Sequence, residues 1–217
     1  MKRASLEGLE TLVKRLDVGL SAKDRVREST ILLGRELVRT CSAAIRSLRE
    51  KGQARRELEH AAALAARLKK ATASHPELYH AGVVENALQE LSEAFILDAL
   101  VSGRRIPPPE SFGCTPAAFL LGLGDVIGEL RRVAQDALRQ GDLALAAETL
   151  HIMEALFNGL NLFDYPDAIV PLKHKQDVAR SLIEKTRGEF SVAVRSRDLE
   201  RKIAALEKVL SRHSKKL

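Results

Sequence analysis

The sequence predicts an all-α protein, and three observations carry that expectation. Leu, Ala, Glu and Arg are abundant, whereas 217 residues hold only seven prolines and no tryptophan, a composition that favours helix. Apolar residues recur at helical spacing in stretch after stretch. No segment alternates with the period of two that a half-buried strand would show.

The elements follow in order. Leu6 to Leu20 reads as a short amphipathic helix, with Leu9, Leu12, Val13 and Leu16 on one side. Ser21-Ala22-Lys23-Asp24 is a start signal for a second, long helix from about Asp24 to Lys51, which Gly52 ends in the usual C-terminal position. A third helix covers about Arg55 to Thr72 and stops at Ser74-His75-Pro76, because proline removes a donor and pushes its predecessor out of the helical region. A fourth runs from about Val83 to Val101. Ser102 to Cys114 is the one long loop, and Thr115-Pro116 starts a fifth helix with hydroxyl at N-cap and proline at N1. That helix runs to about Gln140. Gly141-Asp142 opens a sixth, ending near Asn161, and Tyr165 to Pro171 is a turn. The last helix covers about Lys173 to Phe190 and extends through the charged tail to Leu210. In that tail Leu199, Ile203, Leu206 and Leu210 form a short heptad seam fit to pack on a neighbouring subunit. This makes about seven helices in a single domain over residues 1–217, with a core at about 24–190, a charged tail at 191–217 and no dividing linker.

Composition excludes some classes. Apolar residues make up 45% and charged residues 29%, ordinary for a soluble globular protein. No apolar run approaches the roughly 20 residues a membrane helix needs, and the first residues are too polar for a signal-peptide core. Cys41 and Cys114 have no CxxC or histidine cluster nearby, so free thiols in a reducing cytoplasm are expected. The net charge of +6 fits a polyanionic partner.

The chemistry-bearing signal is acidic. In NALQELSEAF, Glu90 and Glu93 lie three apart, hence on one face of the fourth helix, on the side that also holds Leu97 and Leu100. Leu91, Ala94 and Phe95 cover the other side. On the fifth helix Asp125 and Glu129 lie four apart and share a stripe with Ala118, Leu121 and Gly122. Two otherwise apolar helices thus each carry an acidic pair. Burying unpaired carboxylates costs several kcal/mol, and four hard oxygen ligands would suit Mg²⁺ or Mn²⁺. The other reading is a solvated face with local ion pairs, in which Arg132, three residues after Glu129, satisfies it. Spacing leaves both open.

Cations complete the picture. Arg35, Arg39, Arg46 and Arg49 fall within about 80° of arc on the long helix, a row that could meet successive phosphates or a solvated face paired with Glu36 and Glu50. Arg131 and Arg132 stand beside Glu129, placed to hold a substrate phosphate or to neutralise the acidic group. Aromatic residues are only 4% of the chain, so base stacking is not its main device. Gly122-Leu123-Gly124 lies inside a helix pattern with no preceding strand, and reads as room for close helix packing rather than a dinucleotide loop.

The order of these pieces resembles a family. QELSEA, a long loop, then TPAAFLLGLGDVIGELRR resemble the translin family, and within it the translin-associated-protein-X branch, in a prokaryotic or archaeal form. GDLALAAETL and DYPDAIVPLKHKQDVARSLIEKTRGEF continue the match, and LGRELVRTCSAAIRSLR is similar, more loosely, to the family's long early helix. The resemblance covers most of residues 24–190. It implies a seven-helix subunit in a closed, barrel-like homo-oligomer of hexamer to octamer size that binds single-stranded RNA or DNA. In the branch it resembles, the acidic positions hold Mg²⁺ and cut RNA, and they map onto Glu90, Glu93, Asp125 and Glu129, with an arginine at the position of Arg132. Translin proper lacks the first acidic pair and carries a basic, histidine-bearing stretch before that helix. Here the matching stretch, His80 to Glu85, is nearly neutral. The expectation is a Mg²⁺-dependent endoribonuclease acting on single-stranded RNA. A non-catalytic binding scaffold and a purely architectural bundle are the alternatives.

Overall fold

The computed structural model describes residues 8–214. Among them are six α-helices, α1 (Leu9–Lys51), α2 (Arg55–Ala71), α3 (Gly82–Val101), α4 (Pro116–Arg139), α5 (Leu143–Leu160) and α6 (Lys173–Ser214), with 3₁₀ turns at Pro76–Leu78 and Pro109–Phe112. The all-α fold stands as expected, but the helix count does not. The first two expected helices are one continuous helix of 43 residues; the expected start at Leu6 lies outside the described residues. Ser21 and Asp24 do not interrupt α1, because both sit on its exposed side and Asp24 accepts from Arg27 at 2.9 Å one turn on. At the far end Gly52 takes φ 69° and donates to the Leu48 carbonyl at 2.9 Å, the left-handed closure that glycine makes without steric cost.

The chain packs as two compact units, one up to Gly122 and one from Leu123 on. In the first, α1 packs on both α2 and α3. Leu37, Cys41, Ala44 and Leu48 bury one stripe of α1; Leu58, Ala61, Leu64, Ala65 and Leu68 do the same for α2. Helix α3 is buried on most sides, with Val84, Ala87, Leu88, Leu91, Ile96 and Leu97 inaccessible to solvent. The loop after it is anchored by Phe112, whose ring stacks on Phe95 with centroids 4.7 Å apart. The Tyr79 hydroxyl donates to the Gly113 carbonyl, tying the turn before α3 to the start of α4.

In the second unit α5 packs on α6, burying Met153, Leu156 and Leu160 of α5 and Ala179 and Ile183 of α6. Asp142 caps α5, accepting from the Leu145 amide at 3.0 Å. The Gln176 side chain donates to the carbonyls of Leu160 and Phe163, both at 2.9 Å, and so fixes the exit of α5 against α6. Helix α6 continues through the charged tail to Ser214, and Leu199, Ile203, Leu206 and Leu210 are exposed along it. No helix among the described residues is long and apolar enough to cross a membrane.

Candidate carboxylate site and basic surface

In the first unit, α3 carries Glu93 buried at 8% exposure and Glu90 half-buried. Both are felt by Cys41 on α1. Its thiol is pushed far up by burial, and further by the negative charges of Glu90 and Glu93. The pair is therefore not a solvated stripe. It sits in a low-dielectric wall, close enough to an inward-facing thiol to disfavour its ionisation. Cys41 and Cys114 are both free and buried. Cys114 lies 2.8 Å from the Ser92 hydroxyl; burial raises its pKa to about 11, the Ser92 hydrogen bond pulls it down and the Glu85 charge adds to the rise. Glu85 in turn accepts from the Thr115 hydroxyl at 2.7 Å, and that hydroxyl caps α4 by accepting from the Ala118 amide at 3.1 Å. The Thr115-Pro116 start stands as the sequence placed it.

Helix α4 meets α3 at the acidic stretch itself. A Cβ added to Gly122 would lie 2.6 Å from the Gln89 carbonyl oxygen, 2.7 Å from Ser92 Cβ and 3.0 Å from the Glu93 amide nitrogen. Only glycine admits that approach, which bears out the packing role read from the GLG stretch.

In the second unit, Glu129 is buried at 8% exposure and accepts from Arg132 at 2.7 Å, the pair that spacing offered. Asp125 is paired with Lys175 of α6, a partner that no local spacing announced. Lys175 fits because Gly124 leaves room, its missing Cβ falling 3.1 Å from Lys175 Cβ. The half-buried Asp125 and the buried Glu129 are thus each paired with a cation, which a buried carboxylate requires.

The basic residues divide. Arg35, Arg39, Arg46 and Arg49 are all exposed on α1. Arg132 keeps its side chain 59% exposed while bonded to Glu129. Arg131 is half-buried against α6: it donates to the Thr186 hydroxyl at 2.7 Å, the Leu182 carbonyl at 3.4 Å and Glu189 at 2.6 Å. Its side chain is 15% exposed, and its bonds join α4 to α6. The groove on α1 near Arg39 also contains Glu36, Arg56, Glu57 and His60, a mixed rather than purely basic surface.

The donors in these two acidic pairs are all hard carboxylate oxygens, the chemistry that Mg²⁺ and Mn²⁺ take. Glu90 and Glu93 present two such groups in the first unit, and Asp125 and Glu129 two in the second. No group of three or more His, Cys, Asp or Glu side chains that could hold a metal is formed among the described residues.

Comparison with known proteins places the chain. The translin family matches residues 27–196. An uncharacterised protein of Methanocaldococcus jannaschii, MJ0175, is 30% identical over 195 residues, covering 88% of this chain and 87% of the relative. Among solved structures, AfC3PO in complex with duplex RNA is 34% identical with TM-score 0.74, covering 87% of this chain and 97% of that one. The crystal structure of AfC3PO alone gives 34% identity and the same TM-score, with 98% of its chain covered. Apo-NeC3PO, 22% identical with TM-score 0.72 over 88% of this chain and all of that one, shares the fold. The chain belongs to the translin family.

Proposed function

We propose that this chain is a Mg²⁺-dependent endoribonuclease of the translin-associated-protein-X branch, cutting single-stranded RNA within a closed, cytoplasmic homo-oligomer. The observation that carries the reading is the burial of Glu93 and Glu129 on two helices that each bear a second carboxylate. Acidic groups placed in walls at a desolvation cost of several kcal/mol point to cation binding. RNA as the substrate class draws support from the RNA-bound neighbour of 34% identity.

In this reading Glu90, Glu93, Asp125 and Glu129 hold the metal. Bound Mg²⁺ would supply charge neutralisation at the scissile phosphate and activation of water for in-line attack. The protein's own groups do the positioning. Arg132, exposed along most of its side chain, turns from Glu129 toward a substrate phosphate, and Lys175 is the second cation able to exchange a carboxylate for a phosphate oxygen. The exposed arginines of α1 hold the strand further along, with weak sequence preference because phosphate contacts carry no base information.

A second reading has its own observation. Asp125 and Glu129 are already ion-paired, which suits a non-catalytic scaffold for RNA or single-stranded DNA whose carboxylates are structural. Cleavage of a labelled single-stranded RNA by the purified protein separates the two. It is run with Mg²⁺, with EDTA, and with Glu129→Gln and Glu129→Ala purified identically. Metal-dependent cutting that falls at least about 100-fold in both variants, with binding retained, is the expected result. Binding without cutting by the intact protein would establish the scaffold.

A further inference from the structure

We propose that the end of α6 pairs with the same segment of a second copy of this chain as a short, parallel two-stranded coil. The inference rests on the tail alone, independently of any catalytic reading, and on a stretch, from Val192 to Leu210, that lies mostly beyond the end of the family match at residue 196.

Helix α6 runs on to Ser214, and along this stretch five large apolar side chains are exposed: Val192 at 65%, Leu199 at 59%, Ile203 at 48%, Leu206 at 60% and Leu210 at 60%. These are not scattered. Set in a heptad, Val192, Leu199 and Leu206 occupy d, and Ile203 and Leu210 occupy a, with Ser196 the single polar residue on the seam. Leucine at d with β-branched Ile203 at a is the combination that favours two parallel strands. A run of about two and a half heptads is short for a free coil, since isolated helices of this length are marginal in water. Here the helix is already built, being the continuation of a helix packed on α5, so pairing costs little further ordering.

Charge chooses the occupant and its direction. Arg195 and Lys202 fall at g, and Glu200 and Glu207 at e, all exposed. In a parallel pair each g residue faces the e residue five positions later on the other strand. Arg195 then meets the partner's Glu200 and Lys202 the partner's Glu207, and two-fold symmetry doubles both contacts. An antiparallel pair would set g against g and e against e, cation on cation and carboxylate on carboxylate. The sign pattern thus matches a second copy in parallel register and opposes the alternative. The within-helix contact of Asp198 with Arg201 at 3.9 Å lies at c and f, away from the seam.

The test is site-specific crosslinking of the full chain carrying Leu206→Cys. Parallel pairing brings position 206 opposite itself, so a mild oxidant should link two copies through the introduced thiols, above the background of the wild-type chain, whose cysteines are buried. Adding Glu200→Lys with Glu207→Lys makes every flanking contact repulsive and should cut the crosslink by about tenfold or more. Adding Arg195→Glu with Lys202→Glu to that chain reverses both partners and should restore it. Every substituted position is exposed, so helical content and melting temperature stay at wild-type values. No link above background would overturn the proposal and leave the seam to a different partner. A link indifferent to charge reversal overturns it equally, as adventitious contact of apolar surfaces.

Discussion

At the scale of single residues, the chemistry is set by where charge is allowed to sit. Cys114 lies in an apolar wall beside Ser92, with its pKa raised from 9.0 to about 11 chiefly by burial. The folded protein therefore holds that proton more tightly than the unfolded chain. Stability from this thiol is fully present below about pH 9 and is lost as pH rises toward 11, at about 1.4 kcal/mol per pH unit. Tyr79, raised to about 12 by burial and by the nearby Cys114 and Glu85, adds a fall beginning above pH 10. Urea denaturation at pH 8, 9, 10 and 11 should show the decline, and Cys114→Ala should make it shallower between pH 9 and 11; an unchanged slope would remove Cys114 as a cause. Residues also show what sequence can disclose. Glu129 and Arg132 were legible because i,i+3 is a local rule. Lys175 was not, because it reaches Asp125 from another helix, fifty residues on. Arg131 and Arg132 are adjacent and thus about 100° apart on the helix. Spacing alone does not say which of them meets another helix; the position of α6 decides it.

At the scale of elements, α4 is governed by its glycines. Helix propensity alone favours alanine over glycine by about 1 kcal/mol. At Gly122 that gain is outweighed, since the new Cβ would meet backbone of α3 at 2.6 Å and neither helix can yield without disturbing Gln89 to Glu93. Gly122→Ala should destabilise by about 1–3 kcal/mol. At Gly128 the nearest atom is Leu182 Cδ1 at 3.9 Å, ordinary contact distance. Gly128→Ala should stabilise by about 0.5–1 kcal/mol. Opposite shifts in thermal midpoint for two identical substitutions six residues apart would confirm that α4 is pinned to α3 at the acidic stretch; equal shifts would refute it. The sequence did show that these glycines serve packing, because they interrupt an apolar helix pattern without a strand before them. It misplaced the boundary in α1, where Ser21 and Asp24 have cap chemistry. A cap acts only if the backbone leaves the helix, and nothing between Gly19 and Arg25 forces it to. Proline and left-handed glycine do force a stop, and so the ends at Gly52, Pro76 and Thr115-Pro116 were read correctly.

At the scale of the whole molecule, the net charge of +6 and the α1 arginines make separable claims about nucleic acid. A diffuse positive charge attracts a polyanion wherever it lies, whereas a row of guanidiniums releases counterions one phosphate at a time. For single-stranded RNA each such contact adds about 0.7 to the slope of log affinity against log salt, so four contacts from Arg35, Arg39, Arg46 and Arg49 amount to about 3. Replacing all four with glutamine lowers the net charge from +6 to +2. Replacing Arg15, Lys69, Lys70 and Arg139, also exposed, lowers it by the same four charges while leaving the row intact. Salt titrations of binding to one labelled RNA should therefore give a slope reduced by about 3 for the first variant and by less than about 1 for the second. The glutamate-containing groove around Arg39 makes this a demanding test, because Glu36 and Glu57 compete for the same guanidinium and would shrink the effect if they held it. Equal losses in the two variants would assign binding to overall charge and clear the α1 row of a specific role. A loss confined to the row would make α1, the longest helix of the first unit, the strand-holding surface.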